Sequence, residues 1–159
     1  MSLSKELEKI AEIYKKPAKN FSFKYSSYPE LILAEGFQFS KIASNQSEHT
    51  HPRYCYYNCY TVAINNPKRE FFYCEGYAMK KELQIPIEHA WLVNSSFEVI
   101  EITWDCNEAE YYGFVFQTDW LRNFIENRKL ESYSLFADNY LENFLFLNGV
   151  PAEAIVTPV

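Results

Sequence analysis

Long apolar runs are missing from this sequence. No stretch of about 18 apolar residues occurs, and no basic start leads into an apolar segment, so neither a membrane span nor export is expected. Positive charge is short as well. Fifteen Lys and Arg stand against 21 Asp and Glu, a formal net charge of −6, which argues against a nucleic-acid backbone as the main partner. Cysteine is limited to four residues, Cys55, Cys59, Cys74 and Cys106, which read as free thiols rather than as a disulfide framework. The expected location is the cytoplasm. Glycine also numbers only four, so each one is informative. No internal repeat and no linker are present, and 159 residues suffice to bury one core, so 1–159 reads as a single domain.

Aromatic residues are abundant, with 13 Tyr and 13 Phe, and hydrophobic residues make up 48% of the chain. Such a composition is far too apolar for disorder. Leu3, Leu7, Ile10, Ala11 and Tyr14 share one face of a helix over 3–16, which Pro17 ends. A short helix follows Ser27, with Pro29 in its first turn and Gly36 as its stop. Residues 37–52 read as polar and irregular, and 53–65 as a helix ended by Asn65 and Asn66 before Pro67. Strands are expected over 70–81, with Gly76 as a bulge or close approach, over both arms of 85–105, and over 111–117. Two amphipathic helices close the chain, over 119–129 with Asp119 as cap and over 139–147. Strands in succession imply an antiparallel sheet of about four strands packed against helices, an α+β fold.

The hairpin over 85–105 organises the chemistry. Of three histidines, only His89 stands apart from His49 and His51. A three-residue turn of Asn94, Ser95 and Ser96 pairs Val93 with Phe97, Trp91 with Val99 and His89 with Glu101 on one face. A two-residue turn would strand a charge among hydrophobes, so the first register is preferred. A carboxylate beside an imidazole holds one ring nitrogen and frees the other. A thiol nucleophile needs a lowered pKa, which a helix N-terminus next to a histidine supplies. Cys55 falls in the first turn of the 53–65 helix. Cys59 is the alternative nucleophile, one turn further in, at a position more typical of a buried packing thiol.

These residues fall in an order that resembles a known pattern. The set Cys55-x-x-Asn58, Tyr73-x-Glu75-Gly76-Tyr77, Glu88-His89-Ala90-Trp91, Val99-Ile100-Glu101-x-Thr103-Trp104 and Tyr111-Tyr112-Gly113 is similar to that of a largely uncharacterised group of small bacterial and phage proteins. Those carry a papain-like or transglutaminase-like pattern: cysteine–x–x–asparagine on a helix, then valine–glutamate–glycine, histidine–alanine–tryptophan and aspartate–x–threonine strands. The resemblance covers residues 53–116. It implies a papain-like or transglutaminase-like core with Cys55 as nucleophile, His89 as general base and Glu101 where aspartate usually stands. The implied chemistry is acyl transfer or hydrolysis at an amide, peptide or isopeptide bond of a protein or peptide substrate, without cofactor or metal.

Other residues leave alternatives open. Gln46 or Asn45 is a candidate oxyanion donor, and Asn58 and Glu75 are candidate supports; Glu75 has a rival role as the partner of a tyrosine hydroxyl. Trp91 and Trp104 either wall the site or pack the core. Asp105 is a second choice for the orienting acid. Tyr54, Tyr56, Tyr57 and Tyr60 either bind a planar ligand or pack generally. Two rival functions stand beside catalysis. His49, His51, Cys55 and Cys59 place two imidazoles and two thiols within eleven positions, a set that zinc accepts. The aromatic surplus and acidic charge also suit a protein-binding or inhibitory module that has lost the chemistry.

Overall fold

The computed structural model describes residues 2–15, 23–46, 51–66, 68, 70–105, 108–128, 131–137 and 148–157. The expected helix over 139–147, His49 and Cys106 lie outside the described residues. Among the described residues, four α-helices and six strands follow the order α1 (Leu3–Lys15), α2 (Tyr28–Glu35), β1 (Phe37–Phe39), β2 (Ile42–Asn45), α3 (Cys55–Ile64), β3 (Phe71–Lys80), β4 (Ile87–Asn94), β5 (Val99–Glu101), β6 (Ala109–Phe116) and α4 (Thr118–Asn127). The fold is α+β.

Local chemistry accounts for most element ends. In α2, Ser27 accepts a hydrogen bond from the Glu30 amide, Pro29 occupies the first turn, and Gly36 closes the helix by donating to the Ile32 carbonyl. Gly36 is extended rather than left-handed. Its missing Cβ matters because that atom would sit 2.6 Å from the Ile32 oxygen. The N-cap of α4 is Gln117, two residues before the expected Asp119, which falls in the first turn instead.

The sheet differs from the four antiparallel strands expected. Six strands lie in the order β1-β6-β3-β4-β5-β2, and β2 runs parallel to β5. The stretch read as irregular supplies both outermost strands. Each has only three or four residues, too few for a period-two signal, and each is held by backbone pairing with β6 or β5.

Apolar side chains form two cores, one on each sheet face. The larger takes Leu3, Leu7, Leu31, Ile32, Cys59 and Leu121 from the helices and Tyr73, Ala90, Leu92 and Ile100 from the strands. The smaller gathers Phe39, Cys74, Trp91, Val93, Val99, Tyr111 and Val115, with Ile42 packed against it, and includes no residue of the four helices. Phe39 and Ile42 belong to opposite edge strands, so the sheet curls until its edges close over this second core. Gly76 and Gly113 face each other across β3 and β6; a Cβ on either would meet the other strand's backbone at 2.2–2.3 Å.

Candidate active site

The hairpin register is two residues from the expected one. Val93 pairs with Val99 and Leu92 with Ile100, so continuing the ladder sets Glu101 level with Trp91 rather than with His89. The turn is Ser95-Ser96-Phe97, with Phe97 at a left-handed φ of 59°. Asn94 Oδ1 ties it by accepting from the amides of Ser96 and Glu98 at 3.0 Å each. A slip of two preserves the face, since side chains alternate with period two. Glu101 and His89 therefore still meet, on a diagonal. His89 Nε2 lies 3.0 Å from Glu101 Oε2, with both side chains sealed from solvent.

Glu101 is held by four donors. Its Oε2 also accepts from the Tyr111 hydroxyl at 2.9 Å, and its Oε1 from the Thr103 and Trp104 amides at 2.8 and 3.0 Å. Burial raises its pKa, but the bonds from His89, Trp104 and Thr103 carry it below the usual carboxylate range. An ionised carboxylate only accepts, so Nε2 carries the proton and Nδ1 faces the other way. Burial alone would lower the His89 pKa. Hydrogen bonds with Cys55 and Glu101 outweigh it and bring the ring to about 9.

Cys55 is the first residue of α3, next to the N-cap Tyr54, which makes no side-chain cap bond. It is buried at 8% exposure, and its thiol lies close enough to the His89 ring to raise the ring's pKa. The ladder explains the meeting. β5 pairs only with Leu92 and Val93, so the part of β4 carrying His89 has no strand partner on that side, and the tip of α3 reaches it there.

The remaining candidates divide clearly. Asn58 is buried and donates to the His51 carbonyl at 2.8 Å and to Thr103 Oγ1 at 3.1 Å, tying the start of α3 to the chain just after Glu101. Gln46 is exposed and its side chain bonds Ser44, so it is not placed as an oxyanion donor; its backbone amide instead donates to the Glu101 carbonyl at 2.8 Å. Asn45 donates to the Trp104 carbonyl. Glu75 lies on the opposite core face, where it accepts from the Tyr73 hydroxyl at 2.7 Å and from Ser134, Leu135 and Phe136. Trp91 packs the smaller core, 6.4 Å from the His89 ring centroid. Trp104 covers the imidazole directly, stacked at 3.9 Å and 19°, and the Lys80 ammonium lies 4.8 Å from the Trp104 ring. Asp105 is exposed. Cys59 is fully buried, and burial pushes its thiol pKa well up, the reverse of what a nucleophile needs.

Among the described residues no group of three or more His, Cys, Asp or Glu is gathered to hold a metal. Of the proposed zinc set, His51 is exposed while Cys59 is sealed in the core. No described helix is long and apolar enough to cross a membrane.

Sequence reading gave Tyr111 no role at the site and left Trp91 and Trp104 on equal terms. Tyr111 was findable in principle, because it alternates onto the His89 face of β6, but only the strand order β6-β3-β4 shows that the two are within reach. Comparison with protein-family models, curated proteins and solved structures finds no match. The geometry alone must carry the functional reading.

Proposed function

We propose that this chain is a cysteine-dependent acyl hydrolase or transferase, acting on an amide, peptide or isopeptide bond, with a papain-like or transglutaminase-like core. One observation carries the reading: an imidazole held through Nε2 by a buried carboxylate, with a cysteine at a helix N-terminus as its other partner. His89 holds the proton that the thiol gives up, and the Cys55 sulfur bonds to the substrate carbonyl carbon. The uncapped first turn of α3 presents backbone N–H groups to the resulting oxyanion. As the carbon–nitrogen bond breaks, the imidazolium protonates the leaving amine, and a thioester remains on Cys55. Water releases it as an acid, or an amine as a new amide. Glu101 sets the tautomer and stabilises the imidazolium. Its extra methylene, compared with aspartate, suits the diagonal offset between β4 and β5.

Iodoacetamide labelling near neutral pH tests this directly. Peptide mapping is expected to find Cys55 modified well ahead of Cys59 and Cys74, and His89→Ala is expected to slow Cys55 by at least about tenfold. Equal and slow modification of all three would overturn the reading. The close cover of His89, which Trp104 stacks upon, favours a second one, a protein-binding module in which the triad is a satisfied core cluster. An inert Cys55 in a stable, folded chain is its signature.

A further inference from the structure

His51, Tyr54, Tyr57 and Tyr133 line a pocket of about 530 Å³ beside the N-terminus of α3, within the size range of small-ligand sites. We infer that this pocket is a binding site for a neutral aromatic ring, the side chain or acyl group of the substrate that Cys55 attacks. The inference rests on the proposed acyl chemistry for its meaning but not for its test.

Three features of the pocket support it. It adjoins the start of the helix that carries the thiol, because Tyr54 directly precedes Cys55 and Tyr57 follows within the same helix. Its walls meet at steep angles, 69° between Tyr57 and Tyr133 and 75° between His51 and Tyr54, so an entering ring finds both faces and edges to pack against. None of the four walls carries a carboxylate, so a cation finds no counter-ion there.

An independent feature shows that the far wall is built. Tyr133 belongs to the segment 131–137, which a buried carboxylate of the sheet holds in place. Glu75 accepts from Ser134 Oγ and from the Leu135 and Phe136 amides, and the Tyr73 hydroxyl lies 3.3 Å from the Tyr133 carbonyl. Leu135 and Phe136 are buried behind them, while Tyr133 stays 38% exposed. A buried carboxylate spent on anchoring this segment leaves a tyrosine standing at the mouth, where general packing would have sealed it.

Binding is measured by saturation-transfer NMR on the Cys55→Ala protein, with N-benzylacetamide, N-butylacetamide and tetramethylammonium as probes. N-benzylacetamide is expected to bind about tenfold more tightly than N-butylacetamide, and to lose about as much in Tyr57→Ala and in Tyr133→Ala. Equal binding of the two amides, preference for tetramethylammonium, or undiminished binding in both tyrosine variants would overturn the pocket assignment. The wild-type protein, treated with iodoacetamide, reports separately on the thiol. Ring binding with an inert Cys55 retains the pocket and removes the enzyme, whereas a reactive Cys55 without ring binding does the opposite.

Discussion

His89 concentrates the electrostatics of the molecule. A buried imidazole ordinarily titrates below its usual range, because burial disfavours the charged form. Here a carboxylate with four donors and a thiol neighbour reverse the balance and hold the ring near 9. The ring carbons are therefore expected to titrate near pH 9 in NMR spectra. Glu101→Gln removes the anion and leaves burial dominant, so the midpoint should fall below the ordinary histidine value. An unchanged midpoint would mean that Glu101 does not set it. With the lowered midpoint the ring is neutral at pH 7, so the substitution also forfeits the buried ion pair, and denaturant unfolding is expected to show a loss of stability. His89 was recognisable in the sequence as the lone histidine of an apolar strand. Its true cover, Trp104, was not, because Trp91 and Trp104 look alike until the turn beyond β5 is placed.

At the scale of elements, β3 and β6 approach closely where Gly76 and Gly113 face each other, and neither strand leaves room there for a Cβ. Gly113→Ala would put a Cβ 2.3 Å from the Glu75 carbonyl oxygen, a backbone atom that cannot swing aside. A loss of about 3 kcal/mol or more in denaturant unfolding is expected, well above the roughly 1 kcal/mol of an average substitution. The value of Gly76 as a close-approach point was legible in the sequence. The hairpin shows the opposite case. Its apolar alternation specified a face but not a position along it, so a register off by two still matched every side chain to the correct side.

For the whole molecule, stability should fall as pH rises across neutrality. Burial pushes Glu75 up to about 7, only partly offset by its donors, and His89 stands near 9. Both groups hold a proton in the folded chain that the unfolded chain releases. Glu75 thus contributes fully below about 4.5 and loses that contribution as pH passes 7; His89 contributes fully below about 6.5 and loses it through 9. Together the loss between pH 5 and 9 is on the order of a few kcal/mol. Glu101, with its lowered pKa, acts in the opposite sense and only in acid. Urea unfolding across this range checks the slope. Glu75→Gln should flatten its lower half, and a rise in stability from pH 5 to 9 would show that neither proton is retained.

Composition, periodicity and caps determined on their own that this is an aromatic α+β chain, with a cysteine at one helix start and a histidine and a glutamate on neighbouring strands. Those are local properties, set by which side chains recur on a face and which residues can end a helix. The tertiary structure decided what no local pattern contains. It made two short edge strands from a stretch that looks irregular, since their pairing depends on distant backbone. Among the described strands it left the β5 side of β4 unpaired at His89, so that the tip of α3 can reach the ring. It also drew Tyr111 and Trp104 from separate segments onto His89, and Tyr133 onto Tyr57 and Tyr60, because packing brings together what the order of residues keeps apart.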